Sequence, residues 1–158
     1  MNKKFIGFIL ISLLFLQNCS DKVEYIPDSF FGLSLTEKLS GKDAAEFVNR
    51  LHFGNVAAES NEIGFYKAAK GSAIIYVSYY RDSEQAKYNL DLMVEKISPE
   101  NSVFTGGESF ELNDTRVYRY SGMGQTHFIF FFDNALFWLS GEVHWAEKFL
   151  QEYLHYIN

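Results

Sequence analysis

The chain has one cysteine, Cys19, among 158 residues, so no disulfide can form within it. The absence of other thiols suits an oxidising compartment, where a spare thiol risks wrong pairing between molecules. There are two prolines, Pro27 and Pro99. No repeat, low-complexity block or second linker divides the chain after residue 39, which argues for one domain. Positive charge is scarce: 14 Lys and Arg stand against 20 Asp and Glu, a formal charge of −6. Such a chain is repelled by nucleic acid and by anionic head groups, and no basic patch offsets this, so nucleic acid is not an expected partner. Catalytic signatures are missing as well: no G-x-S-x-G elbow, H-E-x-x-H, C-x-x-C or P-loop occurs. Gly122-Met123-Gly124 is too short for a nucleotide loop, and its glycines suit positive φ in a strand connection.

Long apolar runs are also absent. The longest, residues 5–16, falls short of the roughly 20 helical residues that cross a bilayer core of about 30 Å. It follows Lys3 and Lys4 and fits the apolar region of a signal peptide, with the lysines held on the cytoplasmic side.

The run does not end in the small residues of an ordinary cleavage site. It ends Leu16-Gln17-Asn18-Cys19, which resembles the lipobox of bacterial lipoproteins. Asn18 stands where the strict pattern prefers Gly, Ala or Ser. The resemblance implies a signal peptide over 1–18, acylation of the Cys19 sulfur, cleavage before it, and acylation of the new amine. Two or more acyl chains anchor stably where one is marginal. The competing reading makes Cys19 a bystander in an uncleaved anchor. Ser20, in place of Asp, favours the outer membrane by the sorting habit of such proteins; the leaflet and the face are not legible. Cleavage would leave 140 residues, enough for one core. Loss of Lys3 and Lys4 would take the charge to −8.

What the chain has in abundance is aromatic residues: 16 Phe, 10 Tyr and 2 Trp. They cluster in IIYVSYY, VYRY, HFIFFF and LFWL, as a pleated, half-buried surface prefers. Either an aromatic sheet core or an aromatic-lined pocket for an apolar or sugar ligand accounts for this.

Residues 19–39 read as acylated Cys, tether and lead-in segment, with the patch Phe30-Phe31-Gly32-Leu33 docking on the domain. Residues 40–158 read as the domain. Ser40 opens a helix with Ala44, Phe47, Val48 and Leu51 on one face, broken at Gly54-Asn55. Strands are expected near 56–63, 65–68 and 73–80, then a helix capped by Asp82 or Ser83 and stopped before Pro99. Four strands come next, near 103–112, 116–120, 127–132 and 135–141, with hairpin turns at Asn113-Asp114 and Asp133-Asn134. A last helix covers about 145–157. The order argues an α+β fold, a largely antiparallel sheet with about three helices packed on one face. The second half, from TRVYRYSGMGQTHFIFFF through LFWLSG to the last helix, is similar to small uncharacterised domains of bacterial envelope lipoproteins. That likeness implies a hairpin–hairpin–helix fold and no reaction.

Candidate chemistry rests on few residues. Glu142 and His144 sit two apart and would point the same way in an extended segment. His127 begins a neighbouring strand and His52 ends the first helix. If these converge, His52, His127, Glu142 and His144 offer imidazole and carboxylate ligands suited to Zn²⁺ or a similar ion. The plainer alternative is that each His is a surface or hydrogen-bonded residue; His155 is read as solvated. For hydrolysis, Ser109, Ser121 or Ser140 would need His127 and Asp133 within reach. Arg116 and Arg119 alternate with Tyr118 and Tyr120, which is read as arginines on one face and tyrosines on the other, a basic stripe for an anionic ligand or a merely solvated face. The expectation is therefore a membrane-anchored envelope lipoprotein needing no cofactor. It would act as a non-catalytic binding or assembly module for an unknown protein or a small apolar ligand. The alternative is a small metal-dependent or hydrolytic envelope enzyme.

Overall fold

A computed structural model of the protein describes residues 23–51, 58–97 and 103–158. The leader, Cys19, His52, the Gly54-Asn55 break and Pro99 lie outside the described residues. Among those described, the elements run β1 (Ser29–Phe30), β2 (Leu33–Ser40), α1 (Gly41–Leu51), β3 (Ser60–Ala68), β4 (Gly71–Tyr79) and α2 (Ser83–Lys96). Then come β5 (Thr105–Leu112), β6 (Thr115–Gly122), β7 (Gln125–Phe132), β8 (Ala135–Glu142) and α3 (Ala146–Ile157).

All eight strands form one antiparallel sheet in the order β1-β2-β3-β4-β8-β7-β6-β5. Each half of the chain is a meander, and the last strand of one pairs with the last strand of the other, from Ala73 opposite Gly141 to Tyr79 opposite Ala135. This is the α+β fold that the element order implies.

The turns arise from local chemistry. Asn113 (φ 49°) and Asp114 (φ 60°) take the left-handed conformation at both central positions, as the tight hairpin turn with the right twist requires. The Asp82 carboxylate accepts the Gln85 N–H at 2.9 Å and so caps α2, satisfying a donor that the helix leaves open.

Three details differ from the sequence reading. Residues 60–68 form a single strand, not two. Gly64 lies within it because a Cβ there would meet Ile26 Cγ2 at 2.5 Å, so it marks a close crossing and not a break. The lead-in segment supplies β1 and β2, and it buries Tyr25, Ile26 and Leu33, so the folded body reaches back before Ser40.

The helices also occupy both faces of the sheet. On one face Phe149, Leu150, Tyr153, Leu154 and Ile157 of α3 pack on Ile75, Val77, Phe128, Phe130, Phe137 and Leu139. On the other, Leu90 of α2 packs with Ile129, Leu136 and Tyr120. There too the Phe47 ring of α1 lies 5.7 Å from Phe65 and 6.3 Å from Tyr76, whose register partner is Trp138. The physical reason is the composition of the central strands: Thr126 to Phe130 are buried at every position, so both faces of β7 need cover.

Candidate functional site

The most developed polar cluster lies beneath α2's face of the sheet, around His127. Its Nε2 lies 3.0 Å from the Gly122 carbonyl oxygen. A carbonyl can only accept, so Nε2 carries the proton and Nδ1 is the acceptor. Nδ1 lies 2.8 Å from Ser140 Oγ, and Trp138 Nε1–H points at both Ser140 Oγ (3.0 Å) and His127 Nδ1 (3.2 Å). Phe104 closes the cluster, with its ring 4.9 Å from that of His127 and 5.2 Å from that of Trp138. His127 and Ser140 are 4% and 3% exposed. Burial lowers the His127 pKa from its ordinary value of 6.5, and the bond to Gly122 offsets this only in part. The ring is therefore neutral at pH 7.

Ser140 and His127 thus stand as nucleophile and base do. The rest of the expected triad is elsewhere. Asp133 comes after β7 at its far end, six residues and about 20 Å from His127 at strand rise. Ser121 is exposed and opposes Thr126, and Ser109 lies on the edge strand opposite Tyr118. The group orienting His127 is a backbone carbonyl, and the seryl oxygen is buried under an aromatic ring.

The proposed metal ligands are dispersed among other tasks. Glu142 Oε1 takes the Ser72 N–H at 3.3 Å and lies 3.4 Å from Ser72 Oγ. His144 is exposed in the turn before α3, its ring 6.1 Å from that of Trp145. Both His127 nitrogens are engaged as above, and His52 lies outside the described residues. Among the described residues no three His, Cys, Asp or Glu side chains group as metal ligands. His155 is exposed on α3.

Arg116 and Arg119 do not form a stripe. Three residues apart in a strand of period two, they point to opposite faces, and Arg116 shares its face with Tyr118 and Tyr120. Arg116 Nε bonds Glu111 at 2.9 Å. Arg119 reaches Glu108 with one nitrogen and Glu147 on α3 with the other, at 2.7 Å to the latter. It sits over an open cleft of about 240 Å³ bordered by Ser121, Thr126 and Val143. The two carboxylates offset its charge at the mouth of that cleft.

A second cluster, absent from the sequence reading, joins the segment after Cys19 to the core. Tyr156 Oη donates to the Glu24 carbonyl at 2.8 Å, Tyr153 Oη to that of Tyr25 at 2.6 Å, and Tyr66 Oη to that of Pro27 at 2.8 Å. Tyr25 packs edge-on to Phe137 at 5.0 Å and stacks on Tyr79 at 6.1 Å. The signal lies in VEYIPDSFF, whose apolar residues are too many for a free tether. No family model matches the chain, and no curated protein or solved structure matches it either.

Proposed function

We propose that this protein is a bacterial envelope lipoprotein, acylated at Cys19 and held at the outer membrane, whose body is a non-catalytic binding or assembly module. The observation that carries the reading is the attachment of the residues just after Cys19. Three tyrosine hydroxyls fix the backbone carbonyls of Glu24, Tyr25 and Pro27 to the core. An acyl group on Cys19 would therefore hold the folded body through the three residues before Val23. The surface charges support the same view: Arg119 is used between the carboxylates of Glu108 and Glu147.

The test is Cys19→Ser expressed in a bacterial host that processes lipoproteins. The parent chain is expected in the membrane fraction after a high-salt wash, and the variant in the soluble or unprocessed fraction. Retention of a processed Cys19→Ser chain in the membrane would refute the anchor.

The contact of Ser140 Oγ with His127 Nδ1 at 2.8 Å favours one second reading, a small envelope hydrolase. It requires Phe104 to move off the pair. A fluorophosphonate probe decides: labelling of Ser140 that is lost in His127→Gln supports a hydrolase, and no labelling supports the binding module.

A further inference from the structure

From the end of the sheet at which the chain arrives from Cys19, we infer which surface of the body faces the bilayer and which faces away. This inference rests on the reading of Cys19 as the lipid anchor. Three residues separate Cys19 from Val23, and an extended chain covers at most about 14 Å over those four steps. Glu24 is bonded to Tyr156 and Tyr25 is wedged between Tyr79 and Phe137, so the fixed backbone lends no slack beyond that length.

The sheet has two distinct ends, and the register tells them apart. Tyr79 is the last residue of β4 and opposes Ala135, the first of β8. The Tyr80 N–H donates to the Asn134 carbonyl at 2.8 Å. Burial and, after it, the nearby charge of Asp133 raise the Tyr25 pKa. Val23, the turn at Asp133-Asn134, the start of α2 and the C-terminus of α3 therefore share one end. It is polar, with Glu24, Arg81, Asp82 and Asp133 about it. Among the described residues, Val23 and Tyr156 are exposed there, and a tyrosine ring is of the kind that settles at the head-group level.

The opposite end is different. Met123 follows β6, Val143 follows β8, and the Val103 carbonyl lies 3.0 Å from where a Cβ on Gly122 would stand. Met123, Val143 and Val103 are 79%, 65% and 70% exposed. Since β6 and β8 flank β7, Met123 and Val143 are about 10 Å apart by strand spacing. An eight-residue strand separates the two ends by about 25 Å. A leash of about 14 Å holds the first end at the anchoring membrane and places no such restraint on the second, which stands off by the length of the sheet when the body is upright.

The anchored bilayer thus meets the Tyr156 and Asp133-Asn134 end. The apolar tip of Val103, Met123 and Val143 stands away from that membrane. The acyl anchor holds the near end at the head groups, and its acidity opposes insertion, since anionic lipid repels it.

The experiment uses the processed, acylated chain reconstituted in phosphatidylcholine vesicles that carry a nitroxide head-group lipid. A fluorophore is placed in turn at Asn158→Cys, Met123→Cys and Val143→Cys, all at exposed positions. Quenching several-fold stronger at position 158 than at 123 or 143 is expected. Equal quenching at all three, or stronger quenching at 123 and 143, overturns the orientation. Intact mass and vesicle flotation are read on the same samples. If Cys19 carries no acyl chain and the protein does not float, the anchor itself is refuted and the orientation falls with it. If the protein is acylated and floats with the wrong quenching order, only the orientation fails.

Discussion

At the scale of single residues, the two hydroxyls at the end of α3 do unequal work. Tyr153 is fully buried, and its bond to the Tyr25 carbonyl is shielded from water. Tyr153→Phe keeps the ring and removes the donor, leaving a carbonyl without its partner. The expected loss is about 1–2 kcal/mol, read from urea unfolding. Tyr156 is exposed, so water replaces its hydroxyl in Tyr156→Phe and the loss is expected to stay below about 0.5 kcal/mol.

His127 gives the second prediction at this scale. Its folded pKa lies below 6.5, so between those values the unfolded chain binds the extra proton. Its contribution to stability is therefore present above about pH 6.5 and is lost as pH falls toward the folded value. Denaturant midpoints between pH 7.5 and 5.5 are expected to fall more steeply in the parent than in His127→Gln. Parallel slopes would show that the ring does not couple to folding.

At the scale of elements, the crossing of the lead-in segment over β3 is the most confined contact. In Gly64→Ala the new methyl would meet Ile26 Cγ2 at 2.5 Å and Tyr66 Cε2 at 2.8 Å. Overpacking of this kind costs about 1–3 kcal/mol. The expected signature is not only a lower unfolding midpoint but earlier proteolytic cleavage near Tyr25, because Ile26 must lift. Unchanged cleavage there would mean that the segment does not depend on this crossing.

How far the elements are legible depends on what the sequence has to signal. The turns at Asn113-Asp114 and Asp133-Asn134 and the cap at Asp82 are readable, because each depends on the residue's own backbone or side chain. The apolar face of α3 is readable from its spacing. The second helical layer is not deduced from order and composition, although HFIFFF and LFWL carry it. Apolar residues without alternation mean a strand covered on both sides, a stronger statement than an aromatic core. Gly64 misleads because a close crossing and a strand break look alike without the partner chain. The arginine stripe fails on parity, since positions 116 and 119 cannot share a face in a strand. The tyrosine clamp joins residues as many as 132 apart in sequence, and no local pattern announces such a bond. Ser140 and His127 are legible as candidates, but the ring that covers them comes from a different strand connection.

For the whole molecule, ionisation sets limits on both sides of neutrality. Burial raises several tyrosines: Tyr76 to about 12, and Tyr66, Tyr79 and Tyr153 as well. A raised folded pKa means that the unfolded chain loses its protons first. This part of the stability is complete below about pH 10 and declines as pH rises through the folded values. Unfolding midpoints are expected to drop from pH 8 to pH 11, with phenolate absorbance appearing as the chain unfolds. Full phenolate absorbance from a folded chain at pH 11 would contradict the burial of these rings. Together with His127 this places the stability maximum near neutral pH.

The central claim, that the folded body hangs from an acylated Cys19, is tested most directly by the intact mass of the protein extracted from a bacterial envelope. A chain that starts at Cys19 and carries two or three acyl groups is predicted. An unmodified chain starting at Met1 would contradict it.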